Sequence, residues 1–351
     1  MAPNFNFIHN QFKINGFHLN REDLFQLAYT SIKEGVCFKK EFGTFIMDWI
    51  DDNDFIEVTT SGTTGVPKII KLQKQAMVHS ALATADFFDL EAGNTVLHCL
   101  PTRYIAGKMM LIRAIIIGLE LDIIPPTSHL DDLDPSKKYD FVALVPTQIQ
   151  AGLEKLNQFK KIIIGGAKLS ETVANQLKSC EASIYETYGM TETITHIAAK
   201  KIGENTFKTL PNVSISTDER GCLVINAPNI LSENIITNDL VEITNEKEFQ
   251  WLGRIDNVIN SGGIKYFPEK IEAKLASKIT QRFFIAGLPD ANLGQKIALF
   301  IEGESVAVEP KIFKTLEKFE CPKEIHFIAN FLEANNKIKR FEMVEQILNS
   351  L

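Results

Sequence analysis

Residues 59–68 run Thr-Thr-Ser-Gly-Thr-Thr-Gly-Val-Pro-Lys and follow the extended apolar stretch Phe55-Ile56-Glu57-Val58. Glycines let a backbone approach an anion closely, while successive N–H groups and hydroxyls supply the hydrogen-bond donors. Thr60, Ser61, Gly62, Thr63, Thr64, Gly65 and Lys68 therefore compose a phosphate-handling loop, with the lysine as a mobile positive charge. A Walker A loop needs four residues between its glycines and a Lys-Ser/Thr directly after the second. Here two residues separate Gly62 from Gly65, and Lys68 comes three positions later with Ile69 behind it, so that class is excluded. Taken alone, the composition also fits a solvated surface turn.

A second constellation is Tyr185-Glu186-Thr187-Tyr188-Gly189-Met190-Thr191-Glu192. Tyr188 offers a flat face for a purine, Thr191 a donor for a phosphate, and Glu192 an oxygen ligand for a hard cation. A strand end with an incidental acid explains the same residues equally well. Upstream, Gly165-Gly166-Ala167 sits where a strand should end, the usual place for a ligand beside a parallel sheet. A third constellation spans residues 251–265 and includes Gly253-Arg254-Ile255-Asp256 and Ser261-Gly262-Gly263-Ile264-Lys265. Arg254 suits phosphate or ribose oxygens, Asp239 in Thr237-Asn238-Asp239 suits paired ribose hydroxyls, and Gly262-Gly263 permits close approach. The basic run Asn336-Lys337-Ile338-Lys339-Arg340 fits, by itself, a solvated helix start.

The elements that must position these residues follow from periodicity. Compact apolar runs at 95–100, 121–124, 141–145 and 161–164 alternate with helical spacing at 74–89, 104–118, 147–157 and 170–178, as in parallel βαβ units. After about residue 210 short strands with tight turns suggest a small β subdomain. The last hundred residues predict helix 268–277, strands 283–288 and 296–301, helix 310–318, strand 324–327 and helix 339–349. The fold class is α/β: a large N-terminal domain with a covered mixed or parallel sheet plus a small β subdomain, then a small mobile α+β C-terminal domain. The expected domains are 1–255 and 256–351, in keeping with a length of 351 residues.

Composition narrows the function classes. A formal charge of −7 with no concentrated basic surface argues against nucleic acid as a partner. The five cysteines form no CxxC pair and predict reduced thiols in a cytoplasmic protein. No signal peptide is evident at the start, and no apolar run is long enough for membrane insertion.

Taken in order, Thr-Ser-Gly-Thr-Thr-Gly-Val-Pro-Lys at 60–68, Tyr-Gly-Met-Thr-Glu at 188–192, Thr-Asn-Asp at 237–239, the Gly253 to Lys265 segment and Lys-Ile-Lys-Arg at 337–340 resemble the adenylate-forming superfamily of acyl-CoA synthetases, adenylation domains and luciferases. These matches spread over about four-fifths of the chain. The resemblance implies two half-reactions. A carboxylate attacks the α-phosphate of ATP to give an acyl-adenylate and pyrophosphate. A thiol, usually coenzyme A, then displaces AMP to form a thioester.

Carried over by position, the resemblance places residues 60–65 and Lys68 on the β- and γ-phosphates. Gly165, Gly166, Ala167 and Tyr188 line the adenine pocket. Thr191 contacts the α-phosphate, Glu192 ligates Mg²⁺, and Asp239 with Arg254 holds the ribose. Lys337, which keeps the Lys-Ile-x-Arg spacing better than the alternative Lys339, is the adenylation lysine and Asp256 the hinge of the mobile domain. Ser261, Gly262, Gly263 and Lys265 line the thiol's approach. Three departures stand out. The glycine usual before the lysine is Asn336, preceded by Glu333-Ala334-Asn335. The aromatic-His pair usual after Leu-Pro is replaced by Thr102-Arg103-Tyr104. About sixty residues precede the phosphate loop, so much of the usual N-terminal portion is missing.

Within the superfamily the chain is most similar to the o-succinylbenzoate–CoA ligases of menaquinone biosynthesis, which include short forms. That implies an aromatic keto-diacid as substrate, with Arg103, Tyr104 and Lys108 at the acyl pocket and a cation pairing the carboxylate that is not activated. ATP, Mg²⁺, coenzyme A and a small carboxylic acid are the expected cofactor and partners, and a homodimer is allowed. The alternatives are another aryl- or acyl-CoA ligase, a stand-alone enzyme loading a carrier protein, or a non-catalytic nucleotide-binding relative.

Overall fold

The computed structural model describes residues 2–60, 68–167, 169, 171–334 and 337–350. Its helices are α1 (Arg21–Glu34), α2 (Cys37–Ile50), α3 (Lys74–Phe88), α4 (Ile105–Ile117), α5 (Pro146–Ala151), α6 (Glu171–Leu177), α7 (Pro268–Leu275) and α8 (Arg340–Ser350). Among the described residues, no helix is long and apolar enough to cross a membrane.

The fold is α/β. One 13-stranded sheet runs, edge to edge, through Ser214–Thr217, Cys222–Asn226, Ile235–Asn245, Glu248–Arg254, Phe207–Thr209, His196–Lys201, Ser183–Gly189, Phe159–Ile164, Tyr139–Leu144, Thr95–His98, Glu120–Ile123, Lys13–Ile14 and Phe17–His18. From Ser183–Gly189 to Lys13–Ile14 every neighbouring pair is parallel. Their apolar runs are covered on both faces, as parallel strands require. Val96, Phe141 and Ile163 pack towards α2, α3 and α4, and Leu97, Val142 and Ile162 towards the other side.

The antiparallel strands expected as a small β subdomain are present. Their sheet is not detached: His196–Lys201 pairs antiparallel with Ser183–Gly189 and so continues the parallel sheet. A separate five-stranded sheet is built from Ile259–Ser261, Ile264–Tyr266, Phe283–Asp290, Gly294–Glu302 and Glu324–Ile328. Both of its faces are apolar, Ile285 and Leu299 clustering with Ile271 of α7 and Phe284 and Phe300 with Met343 of α8.

Two expected helices are corrected. Residues 147–157 hold only α5, which ends at Gly152, followed by a 3-10 turn over Leu153–Gln158. Residues 310–318 form a 3-10 turn over Pro310–Thr315, because Leu316 turns extended (φ −90°, ψ 149°) and is buried. The N-terminal pair α1 and α2 was not foreseen. Asn20 caps α1 by accepting from Glu22 N and Asp23 N while Asp23 returns the bond to Asn20 N. Phe42, Phe45, Ile46 and Trp49 give α2 a helical stripe that is buried in the core. Lys74, fully buried at the start of α3, ties the helices together through Asp51 Oδ1 at 2.6 Å.

Candidate active site

The phosphate loop is the connection of a β-hairpin. Phe55–Thr60 pairs antiparallel with Lys68–Gln73, with Thr60 opposite Lys68. A strand therefore follows the loop, where a Walker loop would lead into a helix. Ser61, Gly62, Thr63, Thr64 and Gly65 lie outside the described residues. Lys68 is exposed at the start of its strand.

Gly165, Gly166 and Ala167 follow the carboxyl end of Phe159–Ile164, the end at which open parallel sheets bind ligands. Gly166 has φ +88°, and a Cβ there would meet nothing nearer than 3.8 Å. Thr187 Oγ1 donates to Ile164 O at 2.9 Å and fixes the neighbouring strand against this turn.

The turn after Tyr188 is built on close contact. A Cβ on Gly189 would lie 2.3 Å from Thr195 O and 2.5 Å from His196 Cα, so only glycine fits. Thr193, fully buried, accepts from Met190 N at 2.9 Å and donates to Thr195 O at 2.7 Å. Ile194 sits at φ 66°, an outlier for a β-branched residue, and is 1% exposed. Burying Ile194 and locking Thr193 leaves Thr191 half-buried and Glu192 exposed at the tip.

Residues distant in sequence meet around Asp239. Tyr188 Oη donates to Asp239 Oδ2 at 2.7 Å and Trp251 Nε1 donates to Oδ1 at 3.2 Å. Arg254, directly across the ladder, lies 3.8 Å from the same carboxylate and 3.0 Å from Asp256. Asn238 Nδ2 completes the chain with two bonds of 3.3 Å to Asp256. Burial, and then the Asp239 charge, push the Tyr188 hydroxyl well above its ordinary range. It therefore remains a donor to Asp239. Each carboxylate oxygen keeps a lone pair for a further hydroxyl. Trp251 was missed as a member of this group; an indole on the neighbouring strand, twelve residues from the acid, has no local sequence signal.

The remaining assignments fall elsewhere. Ser261, Gly262, Gly263 and Lys265 belong to the Ile259–Ser261/Ile264–Tyr266 hairpin, whose two glycines have φ 60° and 80° as its tight turn demands. Lys337 lies on a strand paired with Glu333–Ala334. Arg103 is exposed and its charge is paired with Glu41 at 2.9 Å, and Tyr104 is exposed beneath it. Lys108 is buried with its ammonium 4.5 Å from the centre of the Phe45 ring, and burial lowers its pKa against the pull of Asp48.

Another missed group gathers around His196, which pairs across the ladder with Gly189. Arg113 on α4 is 1% exposed, yet its Nε and Nη2 have no hydrogen-bond partner among the described residues. Its Nη1 meets only Met110 Sδ at 3.6 Å, and burial depresses its pKa to about 9. The charge acts on buried His196, opposite Gly189 in the ladder, whose pKa falls well below the ordinary value through burial and then Arg113. His196 Nε2 contacts Thr84 Oγ1 at 3.5 Å, and Ser80 one turn earlier on α3 has a buried, unpartnered hydroxyl. Buried charges are ordinarily paired, so this arrangement departs from the usual management of a buried charge. The sequence signal was a lone arginine within the apolar run of 109–117.

A family model described as AMP-binding enzyme matches residues 48–226, more than half of the chain. The chain belongs to the AMP-binding enzyme family. The expected superfamily and α/β fold are therefore borne out. Among curated proteins this family member is similar to 2-succinylbenzoate–CoA ligase of Geobacillus sp. (strain WCH70), 26% identical over 337 residues, covering 83% of this chain and 68% of that one. The 2-succinylbenzoate–CoA ligase of Oceanobacillus iheyensis is 25% identical, covering 95% and 77%. Among solved structures, an acyl-CoA synthetase (AMP-forming)/AMP-acid ligase II-like protein from Dyadobacter fermentans is 32% identical with a TM-score of 0.62, covering 92% of this chain and 98% of that one. The fold is also that of o-succinylbenzoate CoA synthetase from Bacillus subtilis bound to its acyl-adenylate intermediate, with a TM-score of 0.73 at 20% identity over 82% of this chain.

Proposed function

We propose that this AMP-binding enzyme activates an aromatic diacid, o-succinylbenzoate, to its acyl-adenylate and passes it to coenzyme A, releasing AMP and pyrophosphate. The chemistry rests on the family and on the curated relatives' names. Arg113 supports a diacid: in our reading its desolvated Nε and Nη2, unpartnered among the described residues, take the carboxylate that is not activated. This reading moves the charge-pairing role from Arg103, already engaged by Glu41, to Arg113.

The acid's reacting carboxylate and the ATP α-phosphate repel each other, so the site must place positive charge and donors where charge develops. In our reading Thr191 donates to the α-phosphate, while the hairpin loop at 60–65 with Lys68 holds the departing phosphates. Lys337 bridges carboxylate and phosphate. The Asp239 carboxylate, fixed by Tyr188 and Trp251, accepts the ribose hydroxyls beside Arg254, and the base lies against Gly165–Gly166–Ala167, where Gly166 leaves room. The described residues contain no cluster of three or more His, Cys, Asp or Glu suited to a metal ion. Mg²⁺ commonly takes one or two carboxylates together with substrate phosphates, and the exposed Glu192 would be its protein ligand. When bound, the ion would neutralise phosphate charge.

We place the domain division at 255/256, with Asp256 as hinge, Ser261, Gly262, Gly263 and Lys265 lining the thiol's path, and the enzyme in the cytoplasm. ATP–pyrophosphate exchange over a panel of acids tests the substrate. Exchange with o-succinylbenzoate supports it; exchange with another acid and none with o-succinylbenzoate overturns it. Thioester formation with free coenzyme A separates it from a carrier-protein loader. Lys337→Ala should abolish exchange and spare thioester formation from preformed adenylate, which single-turnover assays of each half-reaction will show.

A further inference from the structure

We propose that Arg340 is a positioning residue that clamps the Lys337 hairpin onto helix α7, making hairpin, helix and hinge one lever. The proposal rests on the reading of Lys337 given above, and its structural half is testable without that reading. Arg340 begins α8 three residues after Lys337. Its guanidinium straddles the Glu272 carboxylate on α7, Nη1 at 2.7 Å from Oε1 and Nη2 at 2.9 Å from Oε2. Such a fork fixes direction as well as distance. Ile285 N donates to Glu272 Oε1 at 2.8 Å and Ile285 O lies 3.4 Å from Arg340 Nη1, so sheet, helix and arginine share one junction.

One turn earlier on α7, Glu269 carries the junction to the hinge. Its Oε1 lies 4.0 Å from Arg340 and accepts from Asn257 Nδ2 at 2.6 Å. Its Oε2, buried and without a partner among the described residues, lies where a Cβ on Gly253 would be 2.5 Å away. Asn257 belongs to the 3-10 turn Ile255–Asn257, which contains Asp256. At its other end the hairpin is held by the Glu333–Arg282 ion pair and by Phe331 N donating to Glu302 Oε1 at 2.7 Å. An apolar pair would hold α8 against α7 without desolvating two charges, but it would not fix their relative direction. Direction is what a lysine that must arrive between two reacting groups requires.

The test uses the full chain and four variants: Arg340→Lys, Arg340→Met, Glu272→Leu and the double Arg340→Met/Glu272→Leu. The double variant removes both charges and separates the clamp from simple stability. For it we expect amide exchange of residues 331–339 at least about tenfold faster, with α7 unchanged. Pyrophosphate exchange should fall about twentyfold or more in kcat, with the KM for ATP and thioester formation from preformed adenylate each within about threefold. Arg340→Lys, which keeps the charge and loses the fork, should show the same split in a folded protein. Unchanged hairpin exchange in both variants overturns the clamp, as does a parallel loss of both half-reactions. If wild type adenylates no acid, the proposed function fails while amide exchange still decides the clamp.

Discussion

At the scale of single residues, Arg113 and Asp239 show two ways a buried charge is managed. Asp239 is held by Tyr188 and Trp251, which keeps its oxygens aimed in one direction. Tyr188→Phe removes one of these bonds and should cost about 1 kcal/mol of stability and raise the KM for ATP; equal KM values would remove Asp239 from the ribose role. Arg113 is left unsatisfied in the described structure, so the fold bears its desolvation. Arg113→Met should raise the unfolding free energy in urea by about 1–3 kcal/mol while lowering diacid adenylation by about a hundredfold or more. A less stable variant with unchanged turnover would show that the arginine serves packing. The ribose role of Asp239 was expected from Thr237-Asn238-Asp239 in the sequence, whereas that of Arg113 was not legible locally. A single arginine among isoleucines and methionines gives no clue to what lies opposite it.

At the scale of elements, the turn from Gly189 to His196 illustrates why a motif has its spelling. The glycine admits the crossing strand and Thr193 fastens the loop, so the tip residues Thr191 and Glu192 are aimed by the backbone behind them. Gly189→Ala should separate the strands and cost about 1–3 kcal/mol by overpacking. Adenylation should then fall far more than stability, read by pyrophosphate exchange beside thermal melting. Wild-type melting would contradict the contact. The parallel strands were legible because their apolar runs are short and bounded. Helix 147–157 failed at Gly152, and α1 and α2 were overlooked although Phe42, Phe45, Ile46 and Trp49 carry the spacing.

At the scale of the whole molecule, two neutral histidines make folding sensitive to acid. Burial lowers His98 to about 4, and burial together with Arg113 holds His196 well below its ordinary value of 6.5. Below 6.5 the unfolded chain binds these protons and the folded one does not, so stability is lost as pH falls towards 4. Each histidine contributes a slope of at most about 1.4 kcal/mol per pH unit. His98→Gln should flatten urea midpoints measured between pH 6.5 and 4; an unchanged slope would mean that His98 charges in the fold.

The sequence by itself determined the family, through the order of motifs that resembles the adenylate-forming superfamily. Glycine spacing, hydroxyls and charged residues in fixed order are local properties, and they pointed to a phosphate loop that is not a Walker loop, to the nucleotide motifs and to an α/β sheet. Only the tertiary structure decided which charges meet. It paired Arg103 with Glu41, brought Tyr188, Trp251 and Arg254 onto Asp239, and joined Arg340 to Glu272 across 68 residues. It also buried Arg113 with its Nε and Nη2 unpartnered among the described residues. The reason is physical: spacing along the chain fixes which residues share a strand or helix face, whereas partners and desolvation depend on what packing brings from far away.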